Sequence, residues 1–432
     1  MIKTCIYFLS LIACITGNAQ EILSLNDAVN IALKNSLEIQ LANNNVEVNT
    51  ILNNYGVAGG LPVVSAGITD NEQISTINQK LSTGVTINRN AAAVNNLNSN
   101  ISGSILLFNG NRVVATKNRL AQLQKQSEVL LNSQVQNIMG VVMSGYYDIV
   151  RQQSYLKTIE RSIDASNQQL SIVKTRQAVG LANNADLFQA QIDLNALQQA
   201  LLSQQLIIDQ AKTELLRLLT LRPDSVVTIR DTIIVDKAIN LDAVLSNINQ
   251  NADIIAAQDQ VKINELIVKE TAAQRYPSVR ANTGYNFNRN QASAGQLLLN
   301  QNYGVSGGLT IAVPIYNGSI FRRQQKVAQI NVRNAQLDKD VLIRDYQSQV
   351  VKFFQSYTVT LKQLETERQN YVLSNQLLEL ALLRFEYKQA TIVDVKNAQQ
   401  SFEASGYRLV NLSYAAKTSE IELKRLANQL KL

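Results

Sequence analysis

The chain reads Ser166-Asn167-Gln168-Gln169-Leu170 and then, from residue 374, Ser374-Asn375-Gln376-Leu377-Leu378. The step from 166 to 374 is 208 positions, and the same step relates Leu107-Phe108-Asn109-Gly110 to Ile315-Tyr316-Asn317-Gly318. Because the step holds from residue 107 to 218 without an insertion, the chain contains two copies of one large structural unit. The period is far too long for a solenoid repeat, so each copy is half of the molecule.

The first residues have the pattern of an export signal. Lys3 supplies a positive charge, an apolar stretch follows, and Gly17-Asn18-Ala19 offers a small-residue cleavage site. In an alternative interpretation, Leu11-Ile12-Ala13-Cys14 is a lipoprotein signal and Cys14 becomes the acylated N-terminus. The polar residues that follow Cys14 favour cleavage after Ala19. We therefore expect a signal peptide over residues 1–19.

The composition argues against most catalytic chemistry. The chain has no histidine, and both cysteines, Cys5 and Cys14, lie in the signal segment. The mature protein then lacks a thiol, the usual general base near neutral pH and the commonest metal ligand, so we expect no enzyme and no cofactor. The net charge of +7 is spread among acidic residues without a dense basic run, which argues against nucleic-acid binding.

Each half follows the same order of a helix, strands and a very long helical region. Helical periodicity extends over Leu25–Asn54 in the first half and over Leu241–Arg275 in the second, and each segment ends before a proline. Further on, helix breakers almost disappear. The pattern predicts two long antiparallel helical hairpins, whose helices cover residues 110–179 and 184–219, and residues 319–384 and 393–430. The segment over residues 226–238 is expected to link the halves, with short strands.

Charge-poor alternating segments lie between these helical regions. Apolar residues alternate with small or polar residues over 279–288 and 303–313, and less cleanly over 100–107. The polar side is Asn, Ser and Gly rather than charged, which is typical of a membrane barrel whose other face contacts lipid. A soluble sandwich is the alternative. We expect strands of about ten residues, the length that a tilted membrane strand needs.

Four strands per chain are too few to close a barrel, and an open sheet edge in hydrocarbon is costly. Three chains with cyclic symmetry would pool 3 × 4 = 12 strands and a ring of helices. The predicted fold is mainly α with membrane β: long hairpins forming an α-barrel, and four strands per chain contributing to a trimeric 12-stranded β-barrel. The expected divisions are a first repeat over residues 20–219, a linker over 220–238 and a second repeat over 239–432.

This arrangement resembles the TolC family of outer-membrane efflux proteins. The resemblance is carried by the duplication, by the entries to the long helices at residues 107–110 and 314–318, and by the hairpin ends, residues 176–186 and 391–395. It implies a homotrimeric channel in the outer membrane, in contact with outer-membrane lipid, whose helical tube extends into the periplasm. It also implies a periplasmic adaptor and an inner-membrane pump of the RND, ABC or MFS type, for which the chain is a passive gated exit duct in efflux or type I secretion.

The resemblance also indicates which residues would form a gate. In the family, acidic side chains narrow the closed end of the tube, and Asp394 matches the first of them. Asn397 stands at the second position, Asp186 is the equivalent of Asp394 in the first repeat, and Ala390 replaces an arginine that the family often has. In the alternative interpretation, Asp394 and Asp186 only cap the returning helices.

The hairpin ends are the expected docking surface for the adaptor, because apolar residues at an exposed tip usually mark an interface. The alternative is that Gly180 supplies the backbone conformation that the turn requires, and that its apolar neighbours cover the turn. The docking candidates are Arg176, Val179, Gly180, Leu181, Arg384 and Lys388.

A rival function for the whole chain is that of a structural spacer or filament of the envelope. That function does not explain the alternating strands. The sequence does not identify the cargo.

Overall fold

A computed structural model of the chain describes residues 22–431. The expected signal peptide and the acylation candidate Cys14 lie outside the described residues. Within them the chain is mainly helical, with two long helical hairpins and four antiparallel strands, and each repeat contributes one hairpin and two strands.

The prediction of one helix over Leu25–Asn54 is wrong in one respect. The structure has two helices there, α1 (Leu25–Asn35) and α2 (Leu37–Leu52). Ser36 separates them because its backbone is extended at φ −54° and ψ 127°, and its Oγ then accepts a hydrogen bond from the Ile39 amide at 3.3 Å. The N-cap of α1 is Ser24, whose Oγ accepts from the Asp27 amide at 3.2 Å.

Strands β1 (Val63–Lys80) and β2 (Thr86–Phe108) follow, and they are longer than the predicted ten residues. The ladder between them continues through polar pairs such as Asn71 with Asn96, where hydrophobic alternation gives no signal. In the second repeat, β3 (Ser278–Ala292) and β4 (Leu299–Ala312) contain 15 and 14 residues, against 18 and 23 in the first. The sheet order is β1-β2-β3-β4, with β1 and β4 at the edges.

The long hairpins are confirmed. The first comprises α3 (Arg112–Ala178) and α4 (Asn184–Leu218). In the second repeat, α5 (Leu241–Asn247), a 3₁₀ turn (Ile248–Gln250) and α6 (Ala252–Ala273) replace the single helix predicted over Leu241–Arg275, because Asn251 is extended. The second hairpin comprises α7 (Ile320–Glu386) and α8 (Ile392–Leu426). Helix α8 ends before the predicted Leu430 because Asn428 adopts a left-handed conformation at φ 55°.

The chain divides into two compact units. One consists of the residues up to Gln40, Ser133–Asn251 and Asp345 onwards; the other consists of Leu41–Asn132 and Ala252–Arg344 and includes the sheet. The first unit has a core around Tyr146, whose hydroxyl donates to the Leu23 carbonyl oxygen at 3.2 Å. A second core cluster in the same unit, around Phe385 and Phe402, packs the two hairpins together.

The linker segment over residues 226–238, where we expect short strands, forms one isolated bridge, between Thr228 and Ile22, and otherwise has no regular secondary structure, so the expectation of strands is wrong. A buried ionic cluster holds it against α8. Lys417 Nζ donates to the Ile234 carbonyl oxygen at 2.9 Å and to Glu420 Oε1 at 3.0 Å, and the Asp236 amide donates to Glu420 Oε2 at 2.9 Å. These bonds satisfy the Ile234 carbonyl oxygen and the Asp236 amide, two backbone groups that have no strand partner.

Among residues 22–431, every helix falls short of the combined length and hydrophobicity that a membrane-spanning helix requires.

Candidate functional site

The first hairpin end, residues 176–186, is a glycine-based turn. Helix α3 closes with two bonds, from the Leu181 amide to the Arg176 carbonyl oxygen at 2.8 Å and from the Gly180 amide to the Gln177 carbonyl oxygen at 2.9 Å. This pattern needs a left-handed residue, and Gly180 supplies it at φ 74° without a side-chain penalty. The glycine in the sequence therefore sets where α3 stops.

The return helix α4 begins with a reciprocal pair of bonds. The Asp186 amide donates to Asn183 Oδ1 at 2.8 Å, and the Asn183 amide donates to Asp186 Oδ2 at 3.4 Å. Two amides at the start of α4 that have no partner within the helix are thereby satisfied.

The second hairpin end, residues 384–394, repeats this backbone plan with a different residue at its centre. The Gln389 amide donates to the Arg384 carbonyl oxygen at 2.8 Å, and Lys388 takes the left-handed conformation at φ 63°. A side chain in this conformation costs about 1 kcal/mol relative to glycine.

Thr391 and Asp394 then start α8. The Asp394 amide donates to Thr391 Oγ1 at 3.2 Å, and the Asp394 carboxylate accepts from the Thr391 amide at 2.7 Å and from the Thr391 hydroxyl at 2.8 Å. These bonds to the charged form, first from the amide and then from the hydroxyl, lower the pKa of Asp394, and the charge of Arg384 adds to the effect. Asp394 is therefore an exposed carboxylate that stays ionised at neutral pH.

The gate candidates differ in exposure. Asp394 and Asn397 are both exposed, and their spacing of three residues places them on one face of α8. Asp186 is half-buried. The interpretation of the aspartates as caps is corrected in one detail: the helices begin one residue after Asn183 and Thr391, so these are the N-caps and the aspartates sit three residues further on.

The apolar docking candidates lie on the surface. Val179 and Leu181 are 66% and 59% exposed, and Arg384 and Lys388 are exposed as well. Tyr387, which is 68% exposed, adds a residue that sequence reasoning missed. The step of 208 positions from Val179 is the signal that could have found it.

Arg176 has a different environment from the other docking candidates. Its guanidinium donates to the carbonyl oxygens of Phe385 and, at 3.4 Å, of Glu386, which are in the last turn of α7. Its Cζ also lies 4.4 Å from the centroid of the Phe385 ring. Arg176 therefore caps a helix of the other repeat.

Two ion pairs also join the hairpins near these ends. Lys396 Nζ lies 2.8 Å from Asp193 Oδ1, and Arg161 Nη2 lies 2.8 Å from Glu379 Oε1. Among the described residues, no three His, Cys, Asp or Glu side chains converge in a way that would hold a metal ion. The arrangement is two neighbouring loops with exposed apolar, basic and acidic groups, which suits binding and ion attraction.

Comparisons with known proteins agree with this architecture. A relative, the toxin and drug export protein A of Aggregatibacter actinomycetemcomitans, is 23% identical over 410 residues, covering 91% of this chain and 85% of that protein. The outer membrane protein VceC of Vibrio cholerae has a TM-score of 0.74 at 18% identity, over 94% of this chain and 96% of that chain. The CmeC outer membrane channel of Campylobacter jejuni has a TM-score of 0.76 at 15% identity, over 94% and 85%.

The family model for outer membrane efflux proteins matches residues 28–220 and again residues 245–429, which together make up most of the chain. The predicted resemblance to the TolC family is confirmed. The chain belongs to the outer membrane efflux protein family, and it is a non-enzymatic channel of the outer membrane that extends into the periplasm.

Proposed function

We propose that three copies of the chain form a passive, gated exit duct. Their strands pool into a 12-stranded barrel in the outer membrane, and their hairpins form a tube in the periplasm. The hairpin ends dock a periplasmic adaptor, which couples the duct to an inner-membrane pump of the RND, ABC or MFS type. The pump supplies the energy, and each chain contributes two repeats, over residues 20–219 and 239–432, joined by the linker.

The open sheet carries this proposal. Strands β1 and β4 are both edges, and every residue of β4 is exposed in the single chain. With four alternating strands, β1 and β4 run in opposite directions, so β4 of one copy can pair antiparallel with β1 of the next. Pairing around a threefold axis leaves no edge, which removes the cost of unpaired backbone groups in hydrocarbon.

The gate proposal rests on the charge at the second hairpin end. Three copies would bring three Asp394 carboxylates near the axis, with Asn397 one turn further along α8. The lowered pKa of Asp394 supports a full negative charge there at neutral pH. Such a ring attracts cations and opposes anions. Asp186 serves as the natural comparison, since it has the same place in the other repeat.

The docking proposal rests on the exposed apolar pair Val179 and Leu181, which the Gly180 turn holds out from the surface. Arg384 and Lys388 present positive charge at the neighbouring end. Arg176 supports the surface indirectly by capping α7.

The first test is the mass of the full-length protein extracted by detergent from the isolated outer membrane. We expect a trimer. A monomer, or a polydisperse filament, would remove the pooled barrel and favour the structural spacer instead.

The second test addresses docking. The double variant Val179→Ser, Leu181→Ser is expected to remain trimeric but to lose export in the native cell, measured as sensitivity to the toxic compounds that affect a strain lacking this chain. Val226→Ser is the matched control, because it removes an equally exposed valine in the linker. Unchanged export in the double variant would refute docking through this pair. If only protein secretion is lost, the duct serves type I secretion rather than efflux.

A further inference from the structure

We infer that the channel contains a second charged site, formed by Arg112 and Arg280, which binds the anionic groups of solutes, such as carboxylate, phosphate or sulfonate. The inference rests on the proposed assembly, because it requires the polar face of the sheet to line the duct. It goes beyond the acidic gate, since it concerns other residues, the opposite charge and the opposite class of solute.

The register of the sheet assigns Arg280 to the polar face. Residues that pair directly across neighbouring strands share a face. Arg280 pairs with Leu106 and Thr310, in line with pairs such as Asn282 with Gly308 and Asn288 with Asn302. The opposite face carries pairs such as Tyr285 with Val305, which are suited to lipid.

No carboxylate of the four strands neutralises the charge of Arg280. The acidic residues within the four strands are Asp70 and Glu72, which lie on the opposite face of the sheet. One carboxylate oxygen of each accepts a hydrogen bond from Asn95 Nδ2, at 2.6 Å for Asp70 and 2.8 Å for Glu72. Arg280 itself makes one long contact, from Nη1 to Ser104 Oγ at 3.4 Å. Among residues 22–431, neither Arg280 nor Arg112 has a carboxylate within ion-pair distance.

Arg112 and Arg280 both line one cavity of about 600 Å³, together with residues at the ends of β2, β3 and β4. None of its lining residues is acidic, and Asn109, Gln274 and Ser278 add neutral polar groups. The cavity therefore combines two unpaired cations with neutral polar residues and no carboxylate, which is a lining that an oxyanion can bind.

The site takes one arginine from each repeat, and the duplication does not reproduce it. The step of 208 positions places Ile320 where Arg112 stands in the first copy. Three chains would thus contribute three such pairs, spaced by the symmetry of the assembly, and a polyvalent anion is the solute that they would retain most strongly.

Block of single channels by pyrophosphate tests the inference. The full-length trimer is inserted into planar bilayers of zwitterionic lipid, so that no lipid anion competes, and pyrophosphate is added on the side of the strands. We expect block of the wild-type channel. In Arg280→Gln and in Arg112→Gln, the half-blocking concentration should rise about tenfold, since a charge-assisted contact is lost in every subunit.

The controls separate this site from a general effect of charge. Arg289→Gln removes the same charge from the same strand, but Arg289 pairs with Leu97 and Gln301 on the opposite face, so block should be unchanged. Arg280→Lys should retain most of the block and also covers the case in which Arg280→Gln fails to assemble.

Three outcomes would overturn the inference. Equal block of wild type and Arg280→Gln would exclude the site while leaving the duct intact, and so would an equal shift in Arg289→Gln. If the wild-type trimer forms no channels at all, the proposed duct fails and this inference fails with it.

Discussion

The two hairpin ends have the same backbone and different surfaces. Each closes with an amide donating to the carbonyl oxygen five residues earlier, at 2.8 Å in both cases, and each restarts with a capping box. Yet the left-handed position is Gly180 in one end and Lys388 in the other. Val179 and Leu181 correspond to Tyr387 and Gln389. The duplication kept the hydrogen bonds that a turn requires and let the exposed side chains diverge, so shared features report on folding and differences on function.

The equivalent arginines differ most, because one acts between the repeats and the other within its own turn. Arg176 caps α7, whereas Arg384 donates to the Gln389 carbonyl oxygen at 3.1 Å. In Arg176→Ala we expect local opening at the end of α7 to become easier by about 2 kcal/mol, the loss of charge-assisted bonds and of the Phe385 contact. Hydrogen exchange of peptides covering residues 383–390 should accelerate at least about tenfold. Arg384→Ala should change it less, and the reverse order would contradict the assignment.

The equivalent aspartates provide the next comparison. Asp394→Ala should lower the ratio of cation to anion permeability roughly tenfold, because three carboxylates near the axis are removed. Asp186→Ala should leave the ratio nearly unchanged. Reversal potentials under a salt gradient measure both. Equal effects would show that the two aspartates are only parts of capping boxes.

Substituting the left-handed residue of each turn tests whether the two hairpin ends share one backbone conformation. Gly180→Ala should destabilise the first end by about 1 kcal/mol, through the left-handed backbone alone, since a Cβ there would meet no atom within 4 Å. Lys388→Gly should stabilise the second end by up to about 1 kcal/mol. Local hydrogen exchange should therefore move in opposite directions. A slower exchange in Gly180→Ala would refute the turn assignment.

The pH dependence of selectivity is the finest test. The pKa of Asp394 is lowered from 3.8, so its charge and its contribution to the capping box are fully present above pH 3.8. Both are lost only as pH falls through the lower folded value. In Thr391→Ala, the pKa should return toward 3.8, and cation preference should disappear at a higher pH than in the wild type. Asn183→Ala is the control and should not move the profile.

Much of the fold could be predicted because the residues that begin and end the helices act through their own local backbone conformation. The Asn-Gly pairs, Gly180 and the proline boundaries place the ends of the long helices within a few residues of those observed. Ser36 escaped prediction because serine is tolerated within helices, and its extended backbone is detected only in the structure. The strand ends escaped because polar ladders such as Asn71 with Asn96 have no hydrophobic period.

At the hairpin ends, the sequence places the turn residues but does not give their contacts. The sequence by itself determined the duplication, the long hairpins, the charge-poor strands and the equivalence of Asp186 with Asp394, since these follow from spacing and composition. Only the tertiary structure decided that Arg176 caps α7, that Lys417 and Glu420 hold the linker, and that Arg112 and Arg280 line one cavity. The physical reason is distance along the chain: each of these contacts joins residues far apart in sequence, and such pairs leave no local periodicity to detect.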